Sequence, residues 1–236
     1  MLRRVVLAVA GLSMSSVAFA SEFPIAELAS APYVSESKAQ APAPAARLVW
    51  LDPASAAFGT EGMVRPEVTR LLRAMGVTAS WRRGEPQELA RPGELRVIFL
   101  DRATQRKHGV PVLGATPSSF QGERFVWVHV PSVRAAAGVA GQRSGASLDL
   151  HSARRLGLAL ARVIAHEAVH ALVPQLPHGR GLMSARLDRG MLTAATIAID
   201  PEVGVAVRTA LLAGPPSPRP AEAILAVEST YKEPYR

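Results

Sequence analysis

The stretch LGLALARVIAHEAVHAL, residues 156–172, decides how this chain folds. Drawn as a helix it is apolar nearly all round, and a helix of this kind is buried inside a domain instead of lying on its surface. Ser152 can cap its start, and Pro174 stops it at the other end. The sequence therefore predicts a long buried helix over about residues 152–173, with the rest of the domain packed around it.

Three of the polar side chains in this apolar stretch carry its chemistry. His166, Glu167 and His170 form the pattern H-E-x-x-H. Histidines four residues apart share one helical face, so both imidazoles can bind one metal ion. The carboxylate of Glu167 can reach a water on that metal instead of the metal itself. Buried histidines and a buried glutamate without partners are costly, so the pattern favours a zinc site over a hydrogen-bonded pair of core histidines.

A catalytic zinc takes three protein ligands and leaves the fourth position to water. Pro174 and Pro177 break the chain after the helix, and His178 follows at once. We therefore predict that His178 folds back to become the third ligand. The alternative third ligand is Glu202, on a predicted helix further along the chain. The other histidines have no ligand spacing to the motif: His108, His129 and His151.

The composition excludes several classes of protein. Hydrophobic residues make up 48% of the 236 residues and charged residues 19%, which is typical of a globular chain and not of a disordered one. The net charge is +8, but the basic residues are scattered and not interleaved with aromatics, which indicates a solvated surface and no nucleic-acid partner. The chain has no cysteine, so disulfides and thiolate metal sites are excluded.

The first twenty residues have the pattern of a signal peptide. Arg3 and Arg4 supply the positive charge, residues 5–12 form a short apolar run, and Ala18-Phe19-Ala20 is a small-x-small cleavage site. The apolar run is too short for a membrane anchor, since a spanning helix needs roughly 20 apolar residues. We expect cleavage after Ala20 and export to the periplasm or the cell exterior, with no stable membrane anchor.

The chain beyond residue 20 divides into three parts. Residues 21–46 are rich in Ala, Pro and Ser and are predicted to be a linker or a pro-segment. Residues 47–213 are predicted to form the catalytic domain, and residues 214–236 a C-terminal tail. Strands are predicted at residues 48–51, 78–81, 95–100 and 125–130, and further helices at residues 66–75, 185–199 and 202–212.

Between these elements, the sequence predicts loops at residues 101–122, where Thr116 and Pro117 act as breakers, and at residues 131–150. The order of the elements indicates an α+β domain with a mixed twisted β-sheet. Helices pack on this sheet, with the histidine-bearing helix buried, and the C-terminal part is mainly helical.

The segment around the motif resembles the metzincin clan of zinc peptidases, and its matrixin-like members in particular. Their signature is H-E-x-x-H-x-x-G-x-x-H, followed by a turn that places a methionine beneath the metal. This layout is matched by His166, Glu167, His170, His178 and Met183. There are two departures: Val173 stands at the glycine position, and His178 comes two residues later than the third histidine of the signature. The wider segment, through Gly181-Leu182-Met183, resembles a group of exported bacterial proteins described as metzincin-like metallopeptidases.

The resemblance implies a zincin-type fold with Met183 as a supporting residue beneath the metal. It also implies a zinc metallopeptidase that acts on peptides or proteins, with an endopeptidase favoured over an exopeptidase. Glu167 would activate the zinc-bound water. The alternative is a non-catalytic exported protein that keeps the fold and binds zinc or a peptide. No tyrosine follows Met183 closely enough to stabilise an oxyanion, which leaves this alternative open.

Overall fold

The computed structural model describes residues 43–105, 109, 111–117, 123–139 and 148–214. The predicted signal peptide, residues 21–42 of the predicted linker and residues 215–236 of the predicted tail lie outside these ranges, as does His108. The first strand begins at Ala45, two residues before the predicted start of the domain. The described residues include the whole of the predicted buried helix and the segment that follows it.

Strands dominate the first half of the domain, with one helix between the first two of them, and helices dominate the second half. The strands are β1 Ala45–Leu51, β2 Thr78–Arg83, β3 Glu94–Leu100, β4 Thr104–Gln105, β5 Pro111–Val112, β6 Gly114–Ala115 and β7 Arg124–His129. The helices are α1 Glu61–Ala74, α2 Val130–Ala136, α3 Leu150–Leu172, α4 Arg189–Thr193 and α5 Pro201–Leu212, with a short 3-10 turn at Gly181–Met183.

Five strands form one mixed sheet in the order β2-β1-β3-β7-β6. The first four run parallel to their neighbours, and β6 pairs antiparallel with β7, with Gly114 opposite Val128 and Ala115 opposite Trp127. The strands β4 and β5 form a separate antiparallel pair. The predicted α+β class with a mixed sheet is therefore confirmed, and β6 is the last strand of that sheet.

The predicted buried helix is confirmed as α3, which packs against α1, β7, α2, α4 and α5. Its apolar side chains are enclosed on every side, as a helix that is apolar all round requires. Leu156, Leu160 and Ile164 are fully buried, and so are Val126 and Val128 of β7. Because α3 lies in the core, every polar group that it carries needs a partner inside the protein.

The ends of the helices differ from the prediction where a side-chain cap decides them. The helix α3 begins at Leu150, because Asp149 caps it by accepting a hydrogen bond from the backbone N–H of Ser152 at 2.9 Å. The prediction that Ser152 is the cap was therefore wrong. The helix α1 begins at Glu61 and passes through Pro66, the residue at which the prediction started it. Pro66 is an interior residue of this helix and removes one of its hydrogen bonds, and the helix continues past it to Ala74.

The helix predicted at residues 185–199 is wrong for most of its length, because only Arg189–Thr193 is helical. Asp188 caps this short helix, and tertiary hydrogen bonds hold the chain after it, as at Ala198, whose carbonyl accepts from the N–H of Leu182 at 2.8 Å. Conversely, residues 131–150, predicted as a loop, contain the helix α2. Pro131 lies in its first turn, where a proline is favoured.

A buried arginine fixes α4 against α3. The side chain of Arg162 is fully buried in α3, and its guanidinium donates hydrogen bonds of 2.5 Å to the carbonyls of Met191 and Ala194. These carbonyls belong to the C-terminal end of α4, where a cation is favourable. Burial lowers the pKa of Arg162 from its usual value, because the charged guanidinium is removed from water, and the two hydrogen bonds offset part of that cost.

The change Arg162→Met tests this role, because it keeps the length of the side chain and removes both donors. Two partly buried carbonyls then lose their charged donor, and we expect the free energy of unfolding to fall by about 2–4 kcal/mol. Urea denaturation followed by circular dichroism measures the difference. The matched control is Arg154→Met, at an exposed position of the same helix, which should change the free energy by less than about 0.5 kcal/mol. Equal losses in the two variants would contradict the role of Arg162.

Candidate metal centre

The structure brings together the three histidines that the sequence predicts as ligands. His166 and His170 come from α3, and His178 comes from the segment that follows the helix. One ring nitrogen of each lies within 4.8 Å of the others. The Nε2 atoms of His170 and His178 are 3.2 Å apart. The ring centre of His166 lies 4.9 Å from that of His170 and 5.3 Å from that of His178. His166 is buried, His170 half-buried and His178 exposed, so the group opens to solvent on one side.

The spacing of these nitrogens fits a metal ion. Zinc–nitrogen bonds of about 2.0–2.1 Å at tetrahedral angles place two ligand nitrogens about 3.3 Å apart. The separation of 3.2 Å between His170 and His178 matches this value, and the other separations in the group are at most 4.8 Å. Three neutral imidazoles suit zinc and several other transition metals. The group can therefore hold a metal ion, and its donor set does not distinguish zinc from its neighbours in the series.

A backbone carbonyl orients the first histidine. The Nδ1 atom of His166 lies 2.8 Å from the carbonyl oxygen of Leu182. A carbonyl oxygen only accepts, so Nδ1 carries the proton and Nε2 is left as the metal-binding atom. A hydrogen bond of this kind fixes both the tautomer and the orientation of a ligand histidine.

Burial favours the neutral form of His166 and His170. It lowers the pKa of His166, although the hydrogen bond to Leu182 opposes the shift. Burial also lowers the pKa of His170 to about 4, and the neighbouring rings of His166 and His178 add to the effect. At neutral pH both rings are therefore uncharged, which is the state that binds a metal ion.

The turn at Gly181–Met183 is held to the residues on either side of it. Gly181 has a φ of 57°, and a Cβ atom there would lie 2.2 Å from the carbonyl oxygen of Ala198, so only glycine fits. The N–H of Gly179 donates to the carbonyl of Met183 at 2.8 Å, directly after His178. The side chain of Met183 is buried in the core. The contact that joins this turn to His166 is the backbone carbonyl of Leu182.

Glu167 faces the edge of the sheet, away from the turn. The hydroxyl of Thr116 lies 2.9 Å from its Oε2 atom and 3.0 Å from its backbone oxygen. Gly114 of β6 lies so close that a Cβ atom there would be 2.7 Å from the Cγ of Glu167. Sequence reasoning predicted Thr116 only as a breaker in a loop and missed this contact. The one sequence signal for this contact was Gly114, because a glycine in a strand often marks the close approach of another group.

The remaining candidates lie outside the group. His129 is buried, and its Nδ1 atom contacts the carbonyl of Arg102 at 3.1 Å and the hydroxyl of Thr104 at 3.2 Å. His151 is exposed in the first turn of α3. Glu202 is exposed in the first turn of α5, and no carboxylate belongs to the metal-binding group found among the described residues.

Comparisons with protein-family models, with curated proteins and with solved structures find no match to this chain. The assignment of a function therefore depends on the geometry of the site and on the sequence pattern. Among the described residues, no helix combines the length and the apolar character needed to cross a membrane.

The change His178→Ala tests the third ligand. We expect the affinity for zinc to fall by more than about 100-fold, because even changes outside the ligand shell cost about 10- to 100-fold. Competition with a chromophoric chelator measures the affinity, and elemental analysis should find one zinc ion per wild-type chain. His151→Ala removes an exposed histidine of the same chain and should leave the affinity unchanged.

Measuring the zinc affinity of Glu202→Gln in the same way shows whether Glu202 or His178 is the third ligand. If His178→Ala kept its affinity and Glu202→Gln lost it, the third ligand would be Glu202.

Proposed function

We propose that this protein is an exported zinc-dependent peptidase in which His166, His170 and His178 hold the metal and Glu167 is the general base. The observation that carries the proposal is the convergence of three imidazole nitrogens within 4.8 Å, with the carboxylate of the same H-E-x-x-H motif facing the edge strand. The metzincin-like order of histidines, glutamate and methionine turn supports a peptidase over other zinc hydrolases. The zincin-type fold is part of this proposal, supported by the mixed sheet and the buried α3.

The catalytic roles follow from where the side chains lie. Zinc in such a site supplies a Lewis acid that polarises a carbonyl and lowers the pKa of a water. Glu167 accepts the proton of that water and later delivers it to the leaving amine. The hydrogen bond to Leu182 keeps the Nδ1 proton on His166, so the ring remains a ligand throughout.

The substrate class follows from the strand next to the base. The strand β6 is the last of the five-stranded sheet, and its residue Gly114 touches Glu167. An extended peptide can add to such an edge through backbone hydrogen bonds, which do not depend on side-chain identity. Binding along a strand uses the interior of a chain and not its terminus, so we propose an endopeptidase. Export after cleavage at Ala20 remains the proposed localisation.

A non-catalytic zinc-binding or peptide-binding protein is the second candidate. The observation that favours it is the position of His178, two residues beyond the third histidine of the metzincin signature. A longer segment between the second and third ligands can hold the metal ion in a geometry that does not bring its water within reach of Glu167. This candidate and the peptidase predict the same zinc affinity and differ in turnover.

The change Glu167→Gln separates the two candidates. It removes the base and keeps the shape of the side chain, so we expect zinc to remain bound while turnover falls by about 100- to 10,000-fold. Hydrolysis of fluorescein-labelled casein by the zinc-loaded protein, with and without a chelator, measures turnover. Glu85→Gln makes the same chemical change at an exposed position and should retain full activity.

Full activity of Glu167→Gln would exclude Glu167 as the base. A wild-type protein that binds zinc but cleaves neither casein nor a broad peptide library would instead support the non-catalytic candidate.

A further inference from the structure

The segment that carries β6 presents a glycine and a threonine to α3. Side chains alternate along an extended chain, so residues 114 and 116 point to one face and residue 115 to the other. Gly114 pairs with Val128, which is fully buried, whereas Ala115 pairs with Trp127, which is partly exposed. The face of Gly114 and Thr116 is therefore the one that meets the helix.

Both residues meet the same partner on that helix. A Cβ atom on Gly114 would lie 2.7 Å from the Cγ of Glu167 and 2.8 Å from the Cγ1 of Val163, so the strand approaches as closely as glycine allows. Two residues on, the hydroxyl of Thr116 has Oε2 and the backbone oxygen of Glu167 as its acceptors, at 2.9 and 3.0 Å. The single hydroxyl proton is shared between these two acceptors, so the hydroxyl lies against the helix backbone and the carboxylate at once.

We propose, on the basis of the proposed function, that Thr116 is a positioning residue that fixes the carboxylate of Glu167 for proton transfer. A glutamate side chain has three rotatable bonds before its carboxylate, and a general base works only within hydrogen-bond reach of its proton. The hydroxyl of Thr116 donates to the carboxylate in a charge-assisted hydrogen bond, which is stronger than one between neutral groups. It thereby selects one orientation of the carboxylate before the substrate arrives.

If Thr116 only linked β6 to α3, its loss would have different effects. Loss of such a link would lower stability and disturb peptide binding along the edge strand. Loss of a positioning contact leaves the binding of the substrate unchanged and slows the chemical step. Two measurements therefore show the role of Thr116. One is whether its loss changes kcat or KM, and the other is whether activity returns when a hydroxyl is restored.

The change Thr116→Val removes the hydroxyl and keeps the shape of the side chain, and Thr116→Ser restores the hydroxyl. With fluorescein-labelled casein and the zinc-loaded protein, we expect Thr116→Val to lower kcat by about 10- to 100-fold with KM unchanged. Thr116→Ser should recover most of this loss. Thr209→Val, which makes the same change at an exposed position of α5, should equal the wild type. Chelator competition should give all four proteins the same zinc affinity.

A second readout does not depend on turnover. Acetohydroxamate chelates zinc through two oxygens and gives a proton to a nearby carboxylate, so its affinity reports where the carboxylate lies. We expect Thr116→Val to bind it about tenfold more weakly than wild type and Thr116→Ser to bind it like wild type. Crystal structures of the metal-free wild type and Thr116→Val should show different side-chain torsions at Glu167.

The outcomes separate this inference from the proposed function. A wild type without turnover overturns the peptidase, while the acetohydroxamate affinities and the torsions of Glu167 still decide the role of Thr116. If Thr116→Val matched wild type in kcat, in acetohydroxamate affinity and in the torsions of Glu167, the positioning role would be wrong. A rise in KM with unchanged kcat, or a loss that Thr116→Ser failed to recover, would also overturn it and leave a structural link.

Discussion

The constraint that shapes this domain is the burial of α3, a helix that is apolar nearly all round and yet carries polar side chains. Arg162 is fully buried and His166 nearly so, and each needs a hydrogen-bond partner inside the protein. Both find carbonyl oxygens within residues 182–194. The chain that leaves the helix is therefore drawn back along it, and His178 lies on this returning segment. The same hydrogen bonds that make burial of the helix tolerable thus bring His178 to the candidate metal centre.

The parts of the fold that could be predicted are those that depend on neighbours in sequence. The strands β3 and β7 were predicted within about one residue at each end, because each is a short apolar run between breakers. The helix α3 followed from its apolar surface, and the two histidines four residues apart followed from helical geometry. Even His178 was readable, because two prolines end the helix immediately before it. All of these signals lie within a few residues of the feature that they predict.

The parts that could not be predicted depend on contacts between distant residues. Residues 194–199 have the composition of a helix, but Arg162 and Leu182 take two of their carbonyls into other hydrogen bonds. A tertiary contact of this kind overrides helix propensity, which is a weak preference. Thr116 contacts Glu167 across 51 residues of chain, and a threonine before a proline is typical of a turn. No local pattern distinguishes that threonine from one exposed to solvent.

The geometry of a helix divides the H-E-x-x-H motif between two parts of the domain. Successive residues are rotated by about 100°, so His166 and His170 share one stripe and Glu167 lies on the next. The histidine stripe faces the returning segment and its Leu182 carbonyl, whereas Glu167 faces β6 and Thr116. The departure from the metzincin spacing lies wholly in the segment between the second and third histidines. That segment carries His178, whereas the contacts described for Glu167 lie on β6 and Thr116. The contacts that place the histidines and those that orient the carboxylate are therefore separate, so the later position of His178 does not by itself move Glu167.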